Sequence, residues 1–575
     1  MILKFIFLYK NSNKYYFLKI MQNIATECDL KHCDMVLHNE LLFFVNGREE
    51  NLSFFATRLQ SEIPLSLYFI FKNVEVAKNM TKEYSLNITK NTCSFDFSLG
   101  EINAIKDINN INFCNIFDFP HSKIDFEIYY KNNVLDSKDS LKSALLEIVS
   151  MLENNKSVIL QTTKGKIEIS LDTKDFDFII ANDIANISVY TCASKDEIKA
   201  LATFEKPSIT LRIKELFTDE LGFSKALFIL PYDVILYIIS SLLLDKEIVF
   251  LYAKKVESSN KFSDIESKIN TETTLESGIK TNKKLAQAQK QDKDIKLNQN
   301  SIVILDYRSD FKDEFFEIVV GQRGYFIQKK FLQNDSKNGN LNKIDSNFLD
   351  FTFNNRDDKL FISYISTLNE TIFGILDNKN LIKTINIHFD MNPKNILDSI
   401  AKRPNGTKLL QNYKQNFRDS LDRIEALDSI PKYTKNILDI FAVVSFILGF
   451  ELKKEQILIF AESYLRDIGP KIDFKNINVN GELYYDNIST IHSIMSFTLA
   501  GIDNETLCFG MVESLIDYLI LLMRDISVNY GVENMGIAGD IFANTTFFDR
   551  LSKKFPLDLN LIFPNYLDLT FFDIM

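Results

Sequence analysis

Apolar residues along this 575-residue chain fall either in short continuous runs or at helical spacing. Short, nearly continuous apolar runs predict strands over Leu3–Leu8, Leu41–Val45 and Leu65–Phe71. Between them, Tyr15–Thr26 and Ser53–Ser61 place apolar residues at helical spacing. The strand Leu41–Val45 ends at Asn46-Gly47, a turn signal. That order is close to a split βαβ sandwich, so residues 1–76 read as a small α+β domain.

Residues 77–138 are polar and weakly periodic. From 139 the helical period returns, with a helix predicted over Ser140–Asn154 and capped by Asp139/Ser140. Strand-like runs follow at Ser157–Thr162, Lys246–Tyr252 and Ser301–Leu305. Lys254–Asn300 is rich in Lys, Ser, Thr, Gln, Asn and Asp and has no aromatic residue after Phe262. Such a stretch buries too little apolar surface to offset its ordering entropy, so it reads as a disordered insertion within a domain spanning 139–330. Asn334–Asn347 is a second polar linker. Beyond it, 348–575 opens with strand-like Phe348–Phe353, Lys359–Ile365 and Lys383–Phe389. Helices are predicted over Ile437–Gly449, Gln456–Arg466 and Glu513–Ser527, then short strands over Gly536–Phe542 and Leu559–Phe563.

Ala226–Leu244 is long enough to cross a bilayer, but Pro231 and Asp233 interrupt it and Asp245-Lys246-Glu247 closes it. A strand, a proline turn and a buried helix fit it better. The formal net charge of -11 gives no electrostatic reason to bind nucleic acid or anionic membranes. Six cysteines in 575 residues (28, 33, 93, 114, 192 and 508) are too few for a disulfide scaffold, form no C-x-x-C pair and fit a reducing cytoplasm. Cys28, Cys33, His32 and His38 lie close in sequence, but not at a zinc spacing, and helix-end packing explains them as well. No G-x-x-x-x-G-K-[ST], G-x-G-x-x-G or G-x-S-x-G run is present.

The order of segments resembles the nickel–iron hydrogenase maturation carbamoyltransferases, the HypF family. These combine an acylphosphatase-like domain, a zinc-finger region, a YrdC-like domain and a Kae-type domain of the actin-like ATPase class. In residues 1–76, Asn46-Gly47-Arg48, Phe55–Leu59 and Ile63-Pro64 resemble the acylphosphatase pattern. The family's phosphate cradle falls at Tyr9–Phe17, which here holds neither Gly nor Arg. An acyl phosphate needs convergent N–H groups and an Arg, so this chemistry is not expected. Residues 77–138, with only Cys93 and Cys114, resemble a degenerate zinc-finger region. In 139–330, Lys164-Gly165, Leu221-Gly222, Leu230-Pro231-Tyr232 and Arg323-Gly324-Tyr325 resemble YrdC-like motifs.

In 348–575, Ile362–Ile365, Asp390–Pro393, Phe441–Gly449 and Gly539–Asn544 resemble Kae-type motifs. Ala442 stands where the family has Asp, Asp540 where it has its second Gly, and Tyr566 where it has a metal-binding Asp. The resemblance implies an α+β and α/β multidomain fold: a ferredoxin-like N-terminal unit, a YrdC-like domain and an actin-like C-terminal domain. It implies nucleotide binding by Lys164, Gly165, Tyr232, Arg323, Gly539 and Asn544, with ATP and magnesium as cofactor. Zinc and iron are not expected. The implied activity is ATP-dependent carbamoyl transfer from carbamoyl phosphate to a Cys of a HypE-type partner, with most catalytic motifs eroded. A non-catalytic interaction protein with the same fold is the alternative. Leu230–Phe250 also resembles a core segment of DENN exchange-factor domains.

Overall fold

The computed structural model describes residues 1–9, 14–37, 40–80, 118–119, 122–123, 128–130, 133–135, 138–162, 164–232, 234–256, 315–329, 349, 353, 358–377, 380–425, 433–464 and 468–564. Outside these residues fall Lys10–Asn13 of the cradle position, His38, Cys93, Cys114, residues 257–300, Ser301–Leu305, Asn334–Asn347 and Tyr566. The chain divides into two compact units, Met1–Phe315 and Phe316–Met575.

The first unit begins with β1 (Ile2–Tyr9), α1 (Lys14–Glu27), β2 (Lys31–Leu37), β3 (Glu40–Asn46), α2 (Glu49–Glu62) and β4 (Phe69–Ala77). The strands pair antiparallel in the order β2-β3-β1-β4, the split βαβ arrangement expected. Phe5, Phe7, Phe43 and Val45 face a core shared with Phe17, Met21 and Phe55 of the two helices. That core also takes in Phe204, from a loop more than a hundred residues later in the chain, whose ring lies edge-on to Phe17 at 5.3 Å. Cys28 belongs to the same core, whereas Cys33 packs on the opposite side of the sheet.

The rest of the first unit holds α3 (Lys138–Glu153), β5 (Val158–Thr162), β6 (Gly165–Ser170), β7 (Phe178–Ala181), β8 (Ile209–Arg212), β9 (Lys225–Ile229), α4 (Val234–Leu244) and β10 (Phe250–Lys255). Their six-stranded sheet runs β8-β9-β7-β10-β6-β5, with β7 and β9 parallel. Helix α3 starts at Lys138, so Asp139 and Ser140 lie inside its first turn rather than capping it. Lys254 and Lys255 complete β10, so the expected insertion begins after them. The apolar run Ala226–Leu244 becomes most of β9, the Pro231 turn and α4, as expected. Leu236, Ile239 and Leu243 of α4 pack against Leu145 and Val149 of α3.

The second unit starts with a hairpin, β11 (Glu317–Val320) and β12 (Phe326–Lys329). Its sheet contains β13 (Leu360–Tyr364), β14 (Ile372–Asp377), β15 (Asn380–Ile385), β16 (Asn534–Ala538) and β17 (Asn560–Ile562), in the order β15-β14-β13-β16-β17. Helices α5 (Pro393–Ala401), α6 (Asp439–Ile447), α7 (Glu455–Ser463), α8 (Asn487–Leu499), α9 (Asn504–Tyr530) and α10 (Thr545–Lys554) contribute to its core. Of the strand expected over Phe348–Phe353 two residues are described, and they are not extended: Leu349 is helical and its carbonyl accepts from the Phe353 N–H at 3.0 Å. Gly536–Phe542 is a strand only to Ala538, then a 3₁₀ turn over Asp540–Ala543.

Helix α9 is longer than its apolar run suggested. It starts where the Asp503 carboxylate accepts from the Thr506 N–H at 2.8 Å, and runs through Gly510. A Cβ at Gly510 would lie 2.6 Å from the Pro470 carbonyl, so the glycine marks a close crossing and not a break. Among the described residues, α9 is the one helix long and apolar enough to span a membrane, and 78% of that window is buried in the protein.

Candidate functional site

The tight turn between β5 and β6 carries Lys164. Gly165 takes φ +119 there, a value side chains disfavour, and its carbonyl accepts from the Thr162 hydroxyl at 2.6 Å. Thr162 also bonds the Tyr232 hydroxyl at 2.9 Å. Tyr232 is 1% exposed, and its ring lies 5.5 Å from the Lys164 ammonium. Three of the expected residues, Lys164, Gly165 and Tyr232, are therefore brought together.

The Lys164 ammonium is itself buried and donates to the carbonyls of Glu205 (2.7 Å) and Lys206 (3.1 Å). Those two residues lie in a wholly buried loop, Thr203–Ser208, which no motif in the sequence marks. Lys206 holds φ +44 and donates through its own ammonium to the carbonyls of Ala202 (3.2 Å) and Thr203 (2.8 Å). The Glu205 carboxylate accepts from the Ser66 hydroxyl and from the Leu67 N–H at 2.9 Å. The Phe204 N–H donates to the Leu65 carbonyl at 2.7 Å. One loop thus links Lys164 to the segment leading into β4. Two charged residues beside a proline read as exposed polar sequence, because partners distant in the chain leave no local signal.

Burial raises the Glu205 pKa above its ordinary value, and the bonds from Ser66 and Leu67 and the charge of Lys206 only partly oppose this. The folded chain therefore holds this proton more tightly than the unfolded chain. The group adds stability as pH falls through its raised value, completely so only below the ordinary 4.5. Glu205→Gln should remove that dependence: its thermal midpoint should gain on the parent's as pH rises from 5 to 8. Parallel curves would show that Glu205 does not titrate in this way.

The other expected residues lie in the second unit and are spent on structure. Arg323, at the β11–β12 turn, donates to the carbonyls of Phe555 and Lys553, both at 2.8 Å. It closes the C-terminus of α10, where a cation is favoured. Asn544 caps the same helix, accepting from the Phe547 N–H at 2.9 Å and donating to Glu462 at 2.7 Å. Gly539 lies between β16 and the 3₁₀ turn, where a Cβ would come within 1.9 Å of the Ile365 carbonyl. Asp390–Pro393 also forms a helix cap, Asn392 accepting from the Lys394 N–H at 3.0 Å.

Beside Gly539, the Asp540 carboxylate accepts from the Thr367 N–H at 2.7 Å and from its hydroxyl. Lys454 donates to the Thr367 carbonyl and to Asp439 at 2.9 Å, and Asn436 donates to the Ser366 carbonyl at 2.9 Å. The loop from Ser366 to Thr371 is thus clamped by side chains of the chain itself, and a built-in carboxylate takes its N–H. Among the described residues no group of three or more His, Cys, Asp or Glu is placed to hold a metal.

No family model matches the chain. A protein named HydE, from Wolinella succinogenes, is 24% identical over 563 residues, spanning 92% of each chain. Full-length HypF in its phosphate- and nucleotide-bound form superposes with a TM-score of 0.55 at 13% identity, covering 98% of this chain and 96% of that one. The chain has the HypF fold. HypF from T. kodakarensis gives a TM-score of 0.51 at 12% identity, with the same coverage. The expected multidomain HypF-type α+β and α/β architecture is therefore present. The DENN-like run, Leu230–Phe250, folds within it as the Pro231 turn, α4 and the first residue of β10.

Proposed function

We propose that this chain serves hydrogenase maturation as a diverged protein of the carbamoyltransferase type, its own catalysis reduced and its contact with a HypE-type partner retained. One observation carries the reading: Asp540 and Lys454 are committed to the Ser366–Thr371 loop, where a working site would leave donors open to a ligand. Arg323 and Asn544, likewise, are consumed as helix caps.

A second reading keeps ATP with magnesium on the first unit. It is favoured by Lys164, Thr162 and Tyr232 meeting in one buried place. There Lys164 would exchange its two carbonyl partners for phosphate oxygens. The chemistry would then be adenylation of a carbamate, with this chain's residues binding and orienting the nucleotide.

The test combines calorimetry of the full chain with ATP, magnesium and carbamoyl phosphate, and capture of a purified HypE-type partner followed by mass measurement. Partner capture without nucleotide heat or a carbamoyl mass increment supports the first reading. Nucleotide heat that disappears in Lys164→Met, with the increment present, supports the second. Neither capture nor heat from folded protein removes both.

A further inference from the structure

The second unit also holds an open cleft of about 360 Å³. Arg403, just past the end of α5, forms part of its wall. One nitrogen of this guanidinium, Nη2, donates to both oxygens of Asp486, each at 2.8 Å. Asp486 is 4% exposed and also caps α8, bonding the Ser489 hydroxyl at 2.7 Å. The guanidinium is thus aimed by a buried carboxylate that is itself fixed. Its Nε and Nη1 have no hydrogen-bond partner among the described residues.

Two further polar groups on the same wall are also unspent. His388 is exposed and stacks on Tyr433 at 5.0 Å, and neither of its ring nitrogens is hydrogen-bonded among the described residues. The Ser399 hydroxyl is likewise unbonded among them. Opposite them, Ile477 and Val479 supply an apolar side from the exposed hairpin strand Asn476–Val479. Mostly apolar walls with a few convergent polar groups are the usual make-up of a small-ligand site.

We infer that this cleft binds a small organic monocarboxylate, its oxygens on the open guanidinium edge of Arg403 and on Ser399, its apolar body against Ile477 and Val479. The free edge of a guanidinium matches a carboxylate in fork geometry. Charge selects a single negative group: Asp486 already offsets Arg403, and Tyr484 of the lining is bonded to Glu482 at 3.0 Å. Among the described residues of the lining, Arg403 is the one Lys or Arg to meet a doubly charged phosphate ester. The inference is independent of the maturation reading.

The full-length chain is titrated with 4-phenylbutyrate, 4-phenylbutyramide and 4-phenylbutyl phosphate, followed by saturation-transfer NMR. The carboxylate should bind about tenfold tighter than the amide and the phosphate. Arg403→Lys keeps the pair with Asp486 and loses the second edge, and should weaken the carboxylate about tenfold without moving the thermal midpoint. Ser399→Ala, which disturbs no bond, should weaken it about threefold. Absence of binding, equal binding of acid and amide, tighter binding of the phosphate, or unchanged affinity in both variants overturns the inference.

Discussion

Gly539→Ala should destabilise the second unit by about 3–5 kcal/mol, because backbone strain and a steric clash act at the same position. At φ +113 and ψ 160 the backbone occupies a region used almost only by glycine. The new Cβ would also meet the Ile365 carbonyl at 1.9 Å. Ile365 cannot retreat cheaply, because its N–H donates to the Ala538 carbonyl at 2.9 Å where β13 and β16 run side by side. Gly501→Ala separates the two contributions: φ is +80 there, with no atom within 4 Å of the Cβ position. It should cost only about 1 kcal/mol. Urea unfolding of both variants checks this, and equal midpoints would refute the steric part.

Lys164→Met should cost the first unit about 2–4 kcal/mol. The substitution nearly preserves volume but leaves the Glu205 and Lys206 carbonyls without the ammonium that bonds them in a buried place. The loop they belong to also holds Leu65 and Leu67, so the loss should travel. Hydrogen exchange should rise at the Leu67 and Phe204 amides, while amides in the Ile179–Ile180 pairing with β9 stay protected. If the amides of Leu67 and Phe204 are unmoved, Lys164 does not support the loop. The same variant reports on nucleotide binding, so ATP affinity surviving in it would remove Lys164 from that role.

The legible parts of this fold were those governed by local period. Strands β1 and β3, the β9–α4 succession and helices α6 and α7 lie where apolar spacing puts them. Legibility failed where one residue carried two meanings. The helix expected from Glu513 misses the first turns of α9, which run through Gly510 where the helix crosses Pro470. Helix α5 begins at a proline, which reads as a stop until Asn392 is recognised as its cap. At the candidate sites, resemblance to the family's motifs picked out Lys164, Gly165 and Tyr232, and a tight turn and a strand end place them side by side. Spacing could not show that Arg323 is consumed by α10, whose last carbonyls lie some 230 positions later in the chain. Nor could it reveal Glu205, whose partners Ser66 and Leu67 lie 139 and 138 positions earlier in the chain.

Phe204 sets an order for the making of this protein. The N-terminal sandwich needs that ring against Phe17, yet the ribosome adds it long after β4 has been synthesised. At about 5–20 residues per second the wait is roughly 10 s. During it, residues 1–80 have an unfilled hole in their core. The first domain is therefore closed from downstream, and folding in its own sequence order is denied to it. A ribosome-stalled chain ending before the Thr203–Ser208 loop has emerged should be digested by protease through β4, and one ending well after it should resist.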